Sequence, residues 1–170
     1  MPSMPLEPAL PTGYSLLHAP LAELSGLTWH QISRLRQDVF VVEQDCPYPD
    51  QDSRDAEPAT AHLWISSAAP GGAARVVATL RLLTEPDGVT RRIGRVATAP
   101  EHRGRGLMGY LLRAAIQLCG TAPIVLDAQA HLEGWYGSFG FVKNGEEFLE
   151  DGIPHVPMRL MDGAARAQRR

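Results

Sequence analysis

Three glycines and two arginines fall within seven residues in the run Arg103-Gly104-Arg105-Gly106-Leu107-Met108-Gly109, and an apolar, helix-forming segment follows directly. The first backbone N–H groups of a helix are unpaired and carry partial positive charge. Glycines let an anion approach those amides without a Cβ in the way, and Arg103 and Arg105 add full charges. These residues therefore describe a phosphate cradle, and the question becomes which phosphorylated ligand fills it.

Two ligand classes compete. Gly104, Gly106 and Gly109 spell G-x-G-x-x-G, and Asp127 lies at the end of the apolar run Ile124-Val125-Leu126, where an acid of a dinucleotide site would bind ribose. Against that, Pro100-Glu101-His102-Arg103 separates the glycines from the preceding strand. Only 43 residues follow Asp127, too few to finish a doubly wound sheet.

The second class rests on a resemblance. Arg103-Gly104-Arg105-Gly106-Leu107 is similar to the first five positions of the [R/Q]-x-x-G-x-[G/A] motif of the GNAT superfamily of acyl-CoA-dependent N-acyltransferases. Met108 stands where Gly or Ala is usual, and Thr98-Ala99-Pro100 stands in for V-x-P. Downstream, Tyr136-Gly137-Ser138-Phe139-Gly140-Phe141 resembles the family's Y-x-x-x-G-F, with Gln129 seven residues before the tyrosine. Three further stretches, Val39 to Tyr48, Gln129 to His131 and Asp151 to His155, resemble the ElaA-type subgroup. The likeness runs from about Leu27 to Leu160.

That resemblance implies acetyl-CoA as co-substrate, with no metal, and direct transfer to a primary amine. The diphosphate would lie on the amides of Arg103, Gly104, Arg105, Gly106, Leu107, Met108 and Gly109. The pantetheine arm would run beside Val96-Ala97-Thr98, where a backbone N–H polarises the thioester oxygen. Gln129 would contact that arm, and Tyr136 would protonate the departing thiolate. The attacking amine needs a base. Glu43, placed where the first helix meets a polar loop, ranks first, with His131 next and Glu133, Asp127 and His155 behind them. Arg95 is within reach of the ligand, whereas Arg34, Arg36, Arg81 and Arg91 read as surface charge. The carboxylates Asp45, Asp50, Asp52, Asp55 and Glu57 read as a solvated loop. A catalytically idle acyl-CoA-binding module is the alternative to an enzyme.

The elements that must position these residues follow from periodicity and punctuation. Tyr14 to His18 opens a sheet. Thr28 reads as an N-cap with Leu27 as its staple, and Ile32, Leu35 and Val39 mark one helical face. His62 to Ser66, Ala74 to Leu83 and Val89 to Thr98 read as strands, broken at Pro70-Gly71-Gly72 and at Glu85-Pro86-Asp87-Gly88. Leu107, Leu111, Ala115 and Leu118 share the face of a helix that Gly120 ends. Ile124 to Ala128 is a buried strand, a short helix runs through Tyr136, and strands follow near Phe141 and from His155 to Met161. The order is β-α-βββ-α-β-α-ββ, a mixed α/β sheet with helices on both sides and, by resemblance, the GNAT fold.

The 170 residues suit one domain, with a core over about 14–162 between a Pro-rich start and the basic tail Arg166 to Arg170. A formal net charge of −3 argues against a nucleic-acid partner. No run of ~18 apolar residues suits a membrane span, and Met1 to Pro11 lacks a signal peptide's pattern. A cytoplasmic monomer or homodimer is expected, with a small-molecule or peptide amine as partner. Cys119 reads as a small core hydrophobe and Cys46 as part of the loop structure.

Overall fold

The computed structural model describes residues 9–69 and 71–160. The expected turn residue Pro70, the end of the last strand at Met161 and the basic tail lie outside the described residues, as does most of the Pro-rich start. Eight strands form one sheet in the order β1 (Tyr14–Ala19), β2 (Ala61–Ser67), β3 (Arg75–Thr84), β4 (Arg91–Thr98), β5 (Ile124–Gln129), β8 (Ile153–Leu160) and β6 (Val142–Lys143), with β7 (Phe148–Glu150) also paired to β8. All pairs are antiparallel except β4 with β5. The mixed α/β architecture is as read from the sequence.

β3 is buried at every position from Val76 to Leu83, which requires cover on both faces of the sheet. One face is covered by α1 (Gly26–Arg36), whose Trp29 meets His62 of β2 edge-on with ring centroids 5.1 Å apart. α2 (Leu107–Cys119) also packs on β2, β3 and β4. Its buried face comprises Leu107, Leu111, Leu112, Ala115 and Cys119. Leu118, expected on that face, is exposed instead, because the buried stripe runs through Leu112, Ala115 and Cys119, each three or four residues from the next.

The start of α1 also differs from expectation. Ser25, not Thr28, is the N-cap: its Oγ accepts the Thr28 N–H at 3.0 Å. Leu27 lies within the helix and is exposed, so no staple forms. Beyond Arg36 the helix widens into a π-helical segment, Gln37–Glu43, marked by the five-residue bonds Gln44 N–H to Val39 C=O and Cys46 N–H to Val41 C=O. Such segments are frequent at functional sites.

β7 is a strand the sequence reading missed. Glu150 pairs with Ile153 across the two-residue turn Asp151-Gly152, with φ of +49° and +78°. Asp-Gly is the signature of a tight hairpin.

Candidate functional site

The site arises where the sheet comes apart. β4 and β5 pair only at Arg91 with Ile124 and Arg92 with Val125, and then diverge. The register of β3 on β4 slips at the same place, so Arg95 and Val96 together oppose Leu80. Arg95 adopts φ +52°, a left-handed backbone conformation that is unusual for a non-glycine residue. Ala99 donates its N–H to Val77 C=O, and the antiparallel alternation then turns the Ala97 amide toward β3. Val96 and Thr98, its neighbours, present their amides to the opposite side, the gap facing β5.

A cavity of about 790 Å³ occupies this gap. Val96, Ala97, Thr98, Gln129, His131, Tyr136 and Glu43 all line it, so the candidates scattered along the chain come together. A second cavity of about 420 Å³ lies against Gly104, Gly106, Leu107, Met108 and Gly109. Thr98, Arg103, Met108 and Trp135 border both, so the gap and the glycine loop form one continuous channel.

The loop has the form the glycines require. Gly104 and Gly106 have φ of +75° and +73°, and a Cβ at either would meet nothing within 4 Å, so the space in front of them is open. None of the amides from Gly104 to Met108 has a partner among the described residues, as expected of a helix N-terminus built to receive an anion. The arginine charges are placed differently from the sequence expectation. Arg103 forms a bidentate ion pair with Glu43, both contacts at 2.7 Å, and donates Nε–H to Thr98 C=O. Arg105 donates to the Tyr14 hydroxyl at 3.1 Å. Beside Arg103, a second arginine lines the second cavity: Arg113, one turn after Gly109, packed over the Tyr110 and Phe139 rings. Sequence reasoning missed it, although the i+4 spacing from Gly109 was available as a signal.

Electrostatics sort the acid–base candidates. The hydrogen bonds from Arg103 hold the Glu43 carboxyl below its ordinary range, which favours its charged form and weakens it as a base. Asp127 is paired with Arg92 at 2.8 Å. His155 keeps its Nδ1 within 2.8 Å of Ile153 C=O. His131 is exposed at the cavity's edge, whereas Glu133 does not line it. Tyr136 is 5% exposed, and burial pushes its phenol up to about 12. Its ring rests edge-on against Trp135 and Phe141. Cys46 also borders the cavity, and its thiol is pushed up by desolvation and by Asp151, the opposite of an activated nucleophile.

Beneath the cavity lies a charge network that the sequence reading had placed on the surface. Arg36 and Arg81, expected as surface charge, are 1% and 5% exposed, and Asp50 and Asp55 of the supposedly solvated loop are 8% and 3% exposed. Arg36 bonds Asp50 and Asp55, each at 2.8 Å, and Arg81 bonds Asp52 at 2.7 Å and Asp55 at 2.9 Å. Burial alone would raise the Asp55 carboxyl, but the two guanidinium groups outweigh it and hold it at about 2. Burial conversely lowers the pKa of His62, whose Nε2 lies 3.0 Å from the Asp55 carbonyl oxygen. Both shifts favour the fold at neutral pH. The His62 contribution is lost as pH falls below the ordinary value of 6.5, and that of Asp55 as pH falls from 3.8 toward about 2. Thermal unfolding followed by circular dichroism is therefore expected to show a midpoint that declines below pH 6.5 and drops further below 3.8. A flat midpoint between those values would contradict the His62 assignment.

No helix among the described residues is long and apolar enough to cross a membrane, and none of their His, Cys, Asp or Glu side chains form a group of three that could hold a metal. Comparison with known proteins agrees with the geometry. The family model described as an acetyltransferase (GNAT) domain matches residues 64–161. The UPF0039 protein Rv2851c of Mycobacterium tuberculosis is 44% identical over 149 residues, covering 86% of this chain and 92% of that one. Protein ElaA of Escherichia coli is 36% identical over 144 residues, covering 81% and 90%. The crystal structure of an acyl-CoA N-acyltransferase from Pseudomonas aeruginosa superposes with a TM-score of 0.78 at 37% identity, covering 86% of this chain and 99% of that one. The mixed-sheet fold is thus shared with a solved relative, and the chain belongs to the GNAT acetyltransferase family.

Proposed function

We propose that the protein is an N-acetyltransferase that moves the acetyl group of acetyl-CoA directly to a primary amine. The observation that carries this reading is the continuous channel from the glycine loop to the gap in the sheet. The diphosphate of CoA rests on the amides of the glycine loop, with Arg113 beside it. The pantetheine arm lies along Val96-Ala97-Thr98, near Gln129, and brings the thioester carbonyl to the Val96 amide.

His131 takes a proton from the acceptor's ammonium group, freeing its nitrogen to attack the carbonyl carbon. The tetrahedral oxyanion is held by the Val96 amide, which lies in place before charge develops. When the intermediate collapses, the C–S bond breaks and Tyr136 protonates the thiolate. The cavity that weakens the phenol as an acid also desolvates the thiolate and makes it a stronger base, so the two partners shift together. Glu43, ranked first as the base from sequence, instead serves to hold Arg103.

Calorimetric titration with acetyl-CoA, with NADH as the control ligand, tests the reading. Saturable binding of acetyl-CoA alone is expected, and binding of NADH in its place would return the glycine loop to the dinucleotide class. Gly106→Ala puts a Cβ into the open space in front of the loop and strains the backbone at φ +73°; if that breaks one hydrogen bond to a charged oxygen, worth roughly 1.5–3 kcal/mol, acetyl-CoA binding should weaken by roughly 10–150-fold. Unchanged affinity in that variant would remove the Gly106 backbone from the diphosphate site.

A further inference from the structure

The left-handed turn at Arg95 has a dedicated clamp. Strain of this kind at a non-glycine residue persists only where the surroundings over-determine it. Here the guanidinium of Arg95 reaches Asp50 three times: Nε to the carboxylate at 3.0 Å, and Nε and Nη2 to the backbone carbonyl at 3.3 and 3.0 Å. Nη2 also lies 3.4 Å from Asp52, and the guanidinium sits 5.5 Å from the centre of the Tyr48 ring. Asp50 is itself fixed from two other directions. Tyr48 donates its hydroxyl to Oδ1 at 2.7 Å, and Arg36 donates Nε–H to Oδ2 at 2.8 Å. The loop between α1 and β2 thereby connects the end of α1 to the bulge of β4. An arginine at a position where glycine would be relaxed makes sense if its side chain has work that glycine lacks.

We propose that Asp50, braced by Tyr48 and acting through Arg95, is a positioning residue that shapes the β4 bulge so that the Val96 amide points into the gap. The inference rests on the acyl-CoA reading above and adds to it the device that aims the amide at the thioester oxygen. Neither Asp50 nor Tyr48 needs to touch the reacting atoms. Their effect is to stop the bulge from being absorbed by a one-residue slip of Val96–Thr98 along β3, which would turn the Val96 amide to the β3 side.

The test reads the carbonyl itself. Acetyl-CoA labelled with carbon-13 at the thioester carbonyl is bound to the protein, and its C=O stretch is recorded by difference infrared spectroscopy. A hydrogen bond from the Val96 amide lowers that frequency relative to free acetyl-CoA. In Arg95→Ala, which keeps the backbone strain at φ +52° but removes the clamp, affinity for the product CoA should be kept while most of the frequency shift is lost. Arg95→Lys, which keeps one cationic contact, should retain part of the shift. Arg95→Gly, relaxed at that φ without a clamp, should restore it. Asp50→Asn should behave like Arg95→Ala. Should that variant fold poorly because it disturbs buried arginines, the alanine and glycine variants carry the test. A full frequency shift in Arg95→Ala would overturn the clamp while leaving the acyl-CoA reading intact. Absence of the shift in bound wild type would overturn the amide's role and the clamp with it. Failure of the wild type to bind acetyl-CoA would overturn the reading underneath as well.

Discussion

Tyr136→Phe is expected to lower turnover by about 10²–10⁴-fold, the range associated with a positioned general acid, while acetyl-CoA binds as before. The substitution removes one oxygen from a ring held by Trp135 and Phe141, and those contacts survive in phenylalanine. The hydroxyl makes no hydrogen bond among the described residues, so its loss leaves no orphaned partner, and the fold should be undisturbed. Single-turnover kinetics following thiol release, combined with calorimetry, separate the two effects. Equal turnover in both proteins would take Tyr136 out of the proton path. A pH profile adds an independent check. Because burial lifts the phenol to about 12, the proton to be donated stays in place through the mildly alkaline range. Wild-type turnover should thus show no fall attributable to tyrosine ionisation near the ordinary phenol value of about 10.

Arg36→Ala should cost the fold about 3–5 kcal/mol, because it leaves Asp50 and Asp55 buried with one guanidinium fewer each to offset their charge. Against a total stability of roughly 5–15 kcal/mol, that loss leaves a marginal protein. Its melting temperature should fall by about 10 °C, given some 2–4 °C per kcal/mol for a chain of this size. The pH response should also flatten at its acid end. In the wild type Asp55 is held at about 2 and favours folding at any pH above 3.8. Without Arg36 only Arg81 and the Asp52 amide hold its carboxylate, so its pKa moves back toward 3.8 and less stability is lost on acidification. Adding Asp55→Asn to Arg36→Ala should recover part of the loss. A melting temperature within a degree or two of wild type would show that the network is replaceable by water.

Legibility in the sequence divided along local and non-local lines. Most strands and the cradle were readable because the evidence for them is contiguous: an apolar run bounded by turn residues, or glycines ahead of a helix. Phe148–Glu150 was equally local, but its Asp151-Gly152 turn was read only as part of a family likeness. The error at Thr28 was a choice between two capping residues three positions apart, decided by whether Gly26 and Leu27 enter the helix. The buried network was of another kind. Arg36, Asp50, Asp55 and Arg81 are separated by loops and strands; helical spacing does put Arg36, four after Ile32 and three before Val39, on the buried face that the exposed Arg34 misses, but its partners are invisible from there. Charged residues are normally outside, and only pairing across the fold overrides that expectation. The same holds for Glu43 and Arg103, which lie 60 residues apart in sequence and meet only because the π-helical segment faces the glycine loop.

The parting of the sheet has a consequence for how the molecule opens. With two residue pairs joining β4 to β5, the backbone ladder is nearly cut in half, and each half carries its own helices. α1 and α2 rest on β2–β4, whereas α3 (Glu133–Gly137) rests on β5 and β6. One apolar core still joins the halves, but the backbone ladder has a weak boundary between them, and sub-global opening follows such boundaries. Native-state hydrogen exchange should therefore sort the slow amides into two classes, one for β1–β4 and one for β5–β8, each with its own opening free energy. A molecule that grips both halves at once will fuse them into a single class.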